Sequence, residues 1–524
     1  MRNLRSTAFF SRLANVRNWL ARHPEPIIYW LLAIAHLAPV WYFTYLPTQD
    51  GPSHVNNAQI IKDFADPTTH YDDFFELRYE PLPNLTSHLL LVALLYVFPP
   101  LIAEKVLVSI YVLGFAWSYR FFLSAFGPRC LPLSWIGLAL VYNRCLWMGF
   151  YNQCLGLILL WGILGLALRW RGRLGLLQTF VLASLFTVAY FTHLVAFILA
   201  VVGALGTTLL TQPRRILAPI LVLVAVLPAA CLTINYLHET GFFQADSARR
   251  IVHDPLARLR GEDVRTTFVQ DLTAIDDELF AHHVGTEVPG TLVLAFHLIL
   301  LALFTAVEFR AESAETADAT GRLFPAVFGF LLIVMYFLTA NDLSEHGGFL
   351  KTRLAPLFVL VWLACLREST HIEVRLFLRG LTIVLLALNL LLVIAGFAEG
   401  NRQIAEYMAG LDAVGTEQRI FVIQPDPRPR PIANPLTHAA DYYCLGTGNV
   451  NLDNYEAETL HFPVKYRSGV RRGRTYWNAY PHKDAVDVIV SWQPDDRAAP
   501  RMPAGWEIDF QQGPLRIYRR SAKN

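Results

Sequence analysis

Apolar runs about as long as a lipid bilayer is thick recur along this chain, and no other feature restricts its fold so strongly. A helix needs about 20 mostly apolar residues to cross the hydrocarbon layer. Inside lipid the backbone must satisfy its own hydrogen bonds, which a helix does within one segment. Ile27 to Leu46, Val106 to Leu123, Leu131 to Met148, Leu155 to Leu168 and Ile216 to Leu237 are such runs. Leu174 to Leu210 is long enough for two helices, interrupted near Thr192 and His193. Leu292 to Val307, Leu323 to Leu338, Leu354 to Leu366 and Phe377 to Phe397 complete the set. With 54% hydrophobic and 16% charged residues in 524, the chain reads as an all-α polytopic membrane protein, and a formal net charge of +2 argues against a nucleic-acid partner.

Charge orients the runs. Arg2, Arg5, Arg12, Arg17 and Arg22 precede the first span and place residues 1–26 in the cytoplasm. Asp50 then lies outside. The next inner marker is "RWRGR", Arg169 to Arg173, and an even number of crossings must separate the two. Five apolar segments compete for those crossings, so one of them does not span. Leu85 to Phe98 is the weakest, with an uninterrupted core from Leu89 closed by Pro99 and Pro100, and is expected to lie on the outer leaflet. Continuing the count gives eleven spans over residues 27–397, with outer loops 47–105, 238–287 and 339–353. The odd number leaves residues 398–524 outside, in the periplasm if the membrane is a cell's inner membrane.

That last region has no spanning run. Its short apolar bursts "RIFVIQP", "VDVIVSW" and "LRIYRR" are bounded by turn formers and read as strands of a small soluble α/β domain. The six cysteines lie mostly in apolar runs, where free buried thiols are expected; Cys145 and Cys154 can pair only if both face an oxidising compartment.

The outer segments collect the chemistry. "YLPTQDGPSHVNNAQII", Tyr45 to Ile61, presents Asp50 and His54 around a Gly51 and Pro52 turn just after the first span. Tyr151, Asn152 and Gln153 form a second outer group with His193. "TANDLSEHGGFLKTR" presents His346, Lys351 and Arg353. A carboxylate within reach of an acceptor hydroxyl serves as base, and fixed positive charge stabilises a departing phosphate. Each also has a plainer reading: Asp50 as a helix cap or solvated acid, Lys351 and Arg353 as interfacial cations, His193 as a satisfied core histidine. Asp276, Asp277, His282 and His283 leave room for a divalent ion, although spaced acids in a long loop are more often solvated. No zinc-ligand spacing occurs.

The early outer aspartate in "QDGPSH", the helix on the outer leaflet, the odd span count and the outer C-terminal domain together resemble the GT-C glycosyltransferases that use polyprenyl-phosphate sugar donors. The protein O-mannosyltransferase and lipid A aminoarabinose transferase branch is nearest in layout. The resemblance implies transfer of a hexose or pentose at the outer membrane face to a lipid, glycan or protein acceptor. It makes Asp50 the base of an inverting reaction. His54, His346, Lys351 and Arg353 would hold the donor, and Asn152, Gln153 and His193 the acceptor, with no metal ligand assigned. Several members carry a second acid in the next outer loop, where this chain has Tyr151, Asn152 and Gln153, which sets it apart from a paired-carboxylate mechanism. Two other classes compete: a transporter, against which stands the lack of an internal repeat, and a noncatalytic subunit of a cell-envelope polysaccharide system.

Overall fold

Five of the apolar runs become helices long and apolar enough to cross a membrane: Pro100–Ser124, Tyr151–Trp170, Leu194–Thr211, Leu217–Glu239 and the one that starts at Ile372. The computed structural model describes residues 24–211, 216–244, 264–280, 295–303, 319–339, 348–423, 433–468, 485–493 and 505–520, with single positions 292, 341 and 470. Leu223, Leu227 and Ile234 share one face of their helix and are more than half exposed, as are Val384, Leu388 and Leu391 on theirs. Apolar faces of that extent are stable against lipid rather than water. The expected interruption near Thr192 is present: Leu176–Thr192 and Leu194–Thr211 are separate helices that break at His193.

Thr86–Leu95 is a helix of 10 residues. At ~1.5 Å per residue it is about half the length needed to cross, which accords with a segment laid along the leaflet.

Two expected spans are not continuous helices. Ile27 to Leu46 divides into Pro24–Ala35 and Ala38–Tyr42, because Pro39 has no backbone N–H to donate and begins a new helix instead. Leu131 to Met148 divides into a 3₁₀ turn at Pro128–Leu133 and short helices at Ser134–Leu138 and Arg144–Trp147. Asn143 starts the last piece by accepting from the Cys145 N–H at 2.9 Å. Trp135, Tyr142 and Trp147 on this segment are buried, so it fills the interior of the helical body rather than facing lipid. The run 292–307 lies partly outside the described residues. All six cysteines are free, and Cys145 instead donates to the Thr352 carbonyl.

The three apolar bursts of the C-terminal region are strands. A five-stranded sheet has the order β3 (Val450–Asn451), β2 (Arg419–Ile423), β5 (Val488–Trp492), β7 (Leu515–Arg520), β6 (Trp506–Gln512). β2 is parallel to β3 and β5, and the β5, β7 and β6 pairs are antiparallel. The boundary expected at residue 398 is crossed by a single 36-residue helix, Ile372–Tyr407. Its end enters the soluble core, where Ile404 and Tyr407 pack with Ile420, Val488 and Ile517.

The segment that follows the first apolar run does not stand apart from this unit. Its strand β1 (Phe75–Leu77) pairs antiparallel with β4 (Val464–Tyr466). Ile60, Tyr71 and Phe75 share a core with Phe421, Val450 and Val464. Along the Gly51–Asp63 helix, Asn56 donates to Asp441 at 3.0 Å, and Asn57 exchanges two amide hydrogen bonds with Asn454 at 3.1 and 2.9 Å. Asn454 also caps the Tyr455–Glu458 turn by accepting from the Ala457 N–H. Asn454→Ala removes both roles and leaves the buried Asn57 Oδ1 without its donor, so the detergent-solubilised protein is expected to lose about 1–3 kcal/mol. A Tm equal to wild type would show that this junction does not support the fold.

Candidate active site

Asp50 immediately precedes the Gly51–Asp63 helix, yet its carboxylate does not cap it. The backbone around it is held from a different direction. The Gln49 and Asp50 N–H groups donate to the carbonyls of Trp147 and Met148 at 3.0 and 3.1 Å. Gly149, at φ +78°, lets that strand of chain approach, since a Cβ there would sit 2.8 Å from the Asp50 nitrogen. On the other side a Cβ at Gly51 would collide with Thr48, Glu104 and Tyr151. These three are themselves linked: Tyr151 bonds to Glu104 at 2.6 Å and to Thr48 at 2.9 Å, and Tyr442 donates to Glu104 at 3.1 Å.

The carboxylate so positioned lines a cavity of about 630 Å³ at the junction of the helical body and the C-terminal unit. It is 6% exposed. Burial pushes its pKa up to about 6, against the opposing pull of His54 and of hydrogen bonds from Gln49 and Tyr455. His438 Nε2 lies 3.6 Å from Oδ1, and its ring stacks on Tyr455 with centroids 4.3 Å apart. An acid raised this far is still ionised for the most part at neutral pH and is a stronger base than a solvated aspartate.

Across the same cavity is Arg353, close enough for the Asp50 charge to act on it. It lies within the Leu350–Leu363 helix rather than in a loop. Its guanidinium bonds the Gly348 carbonyl and rests 4.9 Å from the centre of the Phe150 ring, while its buried Nε has no partner. Lys351 is not brought to the cavity: it forms an ion pair with Asp271 on the Val264–Thr273 helix. A lysine two residues from Arg353 on a helix points to a different side. His346, His282, His283 and the Asp276 side chain lie outside the described residues.

The residues expected to meet the acceptor all line the cavity, but they are not equivalent. Asn152 is committed to the scaffold, accepting from the Ser87 N–H and donating to the Asn84 carbonyl, both at 2.8 Å. His193 accepts from the Val195 N–H at 3.2 Å, in the break between two helices. Gln153 has neither amide atom engaged.

A second cluster adjoins Asp50. Glu456 is fully buried, with Oε1 2.7 Å from His54 Nδ1 and Oε2 2.7 Å from His88 Nε2. Burial alone would raise the Glu456 pKa, but the two imidazoles outweigh it and hold it at about 2. Burial disfavours a charged His54, yet Glu456 outweighs that and raises its pKa. Both rings also reach backbone carbonyls, His54 that of Gly149 and His88 Nδ1 that of Asn84 at 3.3 Å. If each ring keeps its proton on the carbonyl side, the nitrogens facing Glu456 carry lone pairs, and a cation must lie between them and the carboxylate. The alternative is a proton on each. Two imidazoles and a carboxylate whose donor atoms fall within 4.8 Å of one another are a fitting set for a divalent ion, and carbonyl-anchored imidazoles are the usual second layer of such sites.

The sequence reading found Asp50, His54 and Arg353 but not His88, Glu456, His438 or Tyr455. His88 had a signal, as an ionisable residue in an otherwise apolar segment. Glu456 had none, because its partners His54 and His88 lie 402 and 368 positions earlier in the chain.

No protein-family model matches the chain, and no curated protein matches it in sequence. In structure it is similar to ArnT from Cupriavidus metallidurans, whose crystal structure holds undecaprenyl phosphate. The TM-score is 0.52 at 10% identity, over 95% of this chain and 98% of that one. The chain therefore shares the fold of that protein.

Proposed function

We propose that this chain is a membrane glycosyltransferase that moves a sugar from a polyprenyl-phosphate donor to an acceptor hydroxyl. One observation supports this above the others: in a fold shared with a protein that holds a polyprenyl phosphate, a buried carboxylate and a half-buried guanidinium face the same cavity. The acceptor oxygen attacks the anomeric carbon while Asp50 takes its proton. The bond from that carbon to the phosphate oxygen breaks, and its electron pair leaves on the polyprenyl phosphate, whose charge Arg353 meets. A single displacement of this kind inverts the anomeric centre. On this reading the cavity opens at the outer face of a cell's inner membrane, with the C-terminal unit in the periplasm, and the arginines that precede the first apolar run support that orientation. His54 serves here by holding Glu456 beside Asp50 rather than by touching the donor, and Lys351 by anchoring the Val264–Thr273 helix.

The Glu456 cluster is read as a divalent cation site. His54, His88 and Glu456 would hold the ion, which supplies fixed positive charge where three elements meet. Purified protein is expected to carry close to one equivalent of a divalent metal by elemental analysis, and His88→Ala to lose it. Metal-free wild type with an unchanged Tm would assign the cluster to protons instead.

The test of the reaction is incubation of the purified protein with a panel of radiolabelled polyprenyl-phosphate sugars. Asp50→Asn keeps size and removes charge, and is expected to lower transfer by about 100-fold or more while the protein still folds. Near-normal turnover by that variant would remove the catalytic assignment. Donor titration checks Arg353: alanine is expected to weaken donor affinity by ~1.5–3 kcal/mol, the range for a hydrogen bond to a charged group. Arg353→Lys recovers part, keeping charge but losing the fork. Equal affinity in all three proteins would locate the phosphate elsewhere.

A further inference from the structure

The first turn of the Tyr151–Trp170 helix carries three consecutive polar residues, and two are consumed by the scaffold. Tyr151 is bonded to Glu104, and Asn152 to Ser87 and Asn84. Gln153 is 1% exposed, lines the cavity, and has neither Nε2 nor Oε1 hydrogen-bonded. Buried polar groups are nearly always paired, so an amide left open at a cavity wall is one whose partner arrives with a ligand. A carboxamide offers a donor and an acceptor side by side. A hydroxyl both donates and accepts, and suits it in either sense.

The charges around it narrow the ligand further. Among the described residues lining the cavity, Asp50 is the only carboxylate, and Arg353 the only arginine or lysine. On the reading above, which this inference rests on, Asp50 takes the acceptor proton and Arg353 meets the phosphate. Among those described residues nothing anionic is left for a sugar ammonium, and no arginine or lysine for a sugar carboxylate. Burying either charge without a partner is strongly unfavourable.

We propose that the transferred sugar is uncharged, bearing hydroxyls and no amino or carboxyl group, and that Gln153 reads one of those hydroxyls. Gln153 is thereby a specificity-determining residue of the donor pocket.

The experiment compares kcat/KM on three polyprenyl-phosphate donors: a neutral hexose or pentose, a 4-amino-4-deoxypentose and a uronic acid. Wild type is expected to use a neutral donor and neither charged one. Gln153→Ala and the volume-keeping Gln153→Met should each lower kcat/KM on the neutral donor about tenfold or more, without lowering Tm, since the amide has no protein partner to lose. Gln153→Glu should lose the neutral donor and gain the amino sugar. Wild-type turnover of a charged donor at or above the neutral rate overturns the inference and leaves the transferase reading standing. So does unchanged kcat/KM in both the alanine and methionine variants. Wild type inactive on every donor rejects the transferase reading itself, and this inference with it.

Discussion

Glu456 between His54 and His88 is the interaction on which the rest of the molecule's active half depends. A carboxylate at 0% exposure is sustainable only with positive charge against both oxygens, and the two imidazoles come from two different helices of the first outer loop. The C-terminal unit is thus tied to the Gly51–Asp63 and Thr86–Leu95 helices at one point, and Asp50 sits one turn before His54. Around that point the contacts are polar and specific: the reciprocal Asn57 and Asn454 amides, and Asp441 accepting from Asn56 and Asn451. Burial raises the Asp441 pKa to about 7, so this part of the junction is a second acid for which ionisation is costly. Such networks favour one docking geometry over others because every misregistered one leaves buried groups open.

The membrane part of the fold was legible because its physics is local. Span length and the interruption at His193 are both properties of contiguous residues, and the strands at Arg419, Val488 and Leu515 announce themselves as short apolar bursts. What failed were the places where an apolar run is buried by other protein instead of lipid. Hydropathy does not distinguish the two environments, so Leu131 to Met148 read as a span although Pro132 and Asn143 break it. The boundary read at residue 398 falls inside a helix, because the change in composition there does not interrupt it and it continues to Tyr407.

The active site divides along the same line. Asp50 was legible from an acid, a glycine and a proline following an apolar run. Arg353 was legible because cations at an outer boundary run against the charge bias. Lys351 was grouped with it on proximity in sequence, but helical geometry sends it toward Asp271, a contact set by a helix 80 residues earlier. His438, Tyr455 and Glu456 arrive by tertiary contact alone, from a region whose composition suggested only a small soluble domain.

Two bodies therefore share one reaction chamber. The helical body contributes Arg353, Gln153 and His193; the C-terminal unit contributes His438 and Tyr455; and Asp50 lies on the loop between, with its backbone fixed by Trp147 and Met148 from one body and its side chain contacted by the other. The Asp50 backbone and Arg353 are thus both held by the helical body, and the C-terminal unit closes the wall beside the Asp50 carboxylate. Removing the C-terminal unit would leave Asp50 without the wall that His438 and Tyr455 form beside its carboxylate. Burial between the two bodies is what strengthens this carboxylate's hold on a proton, and a strand pair and a buried glutamate join the two bodies around it.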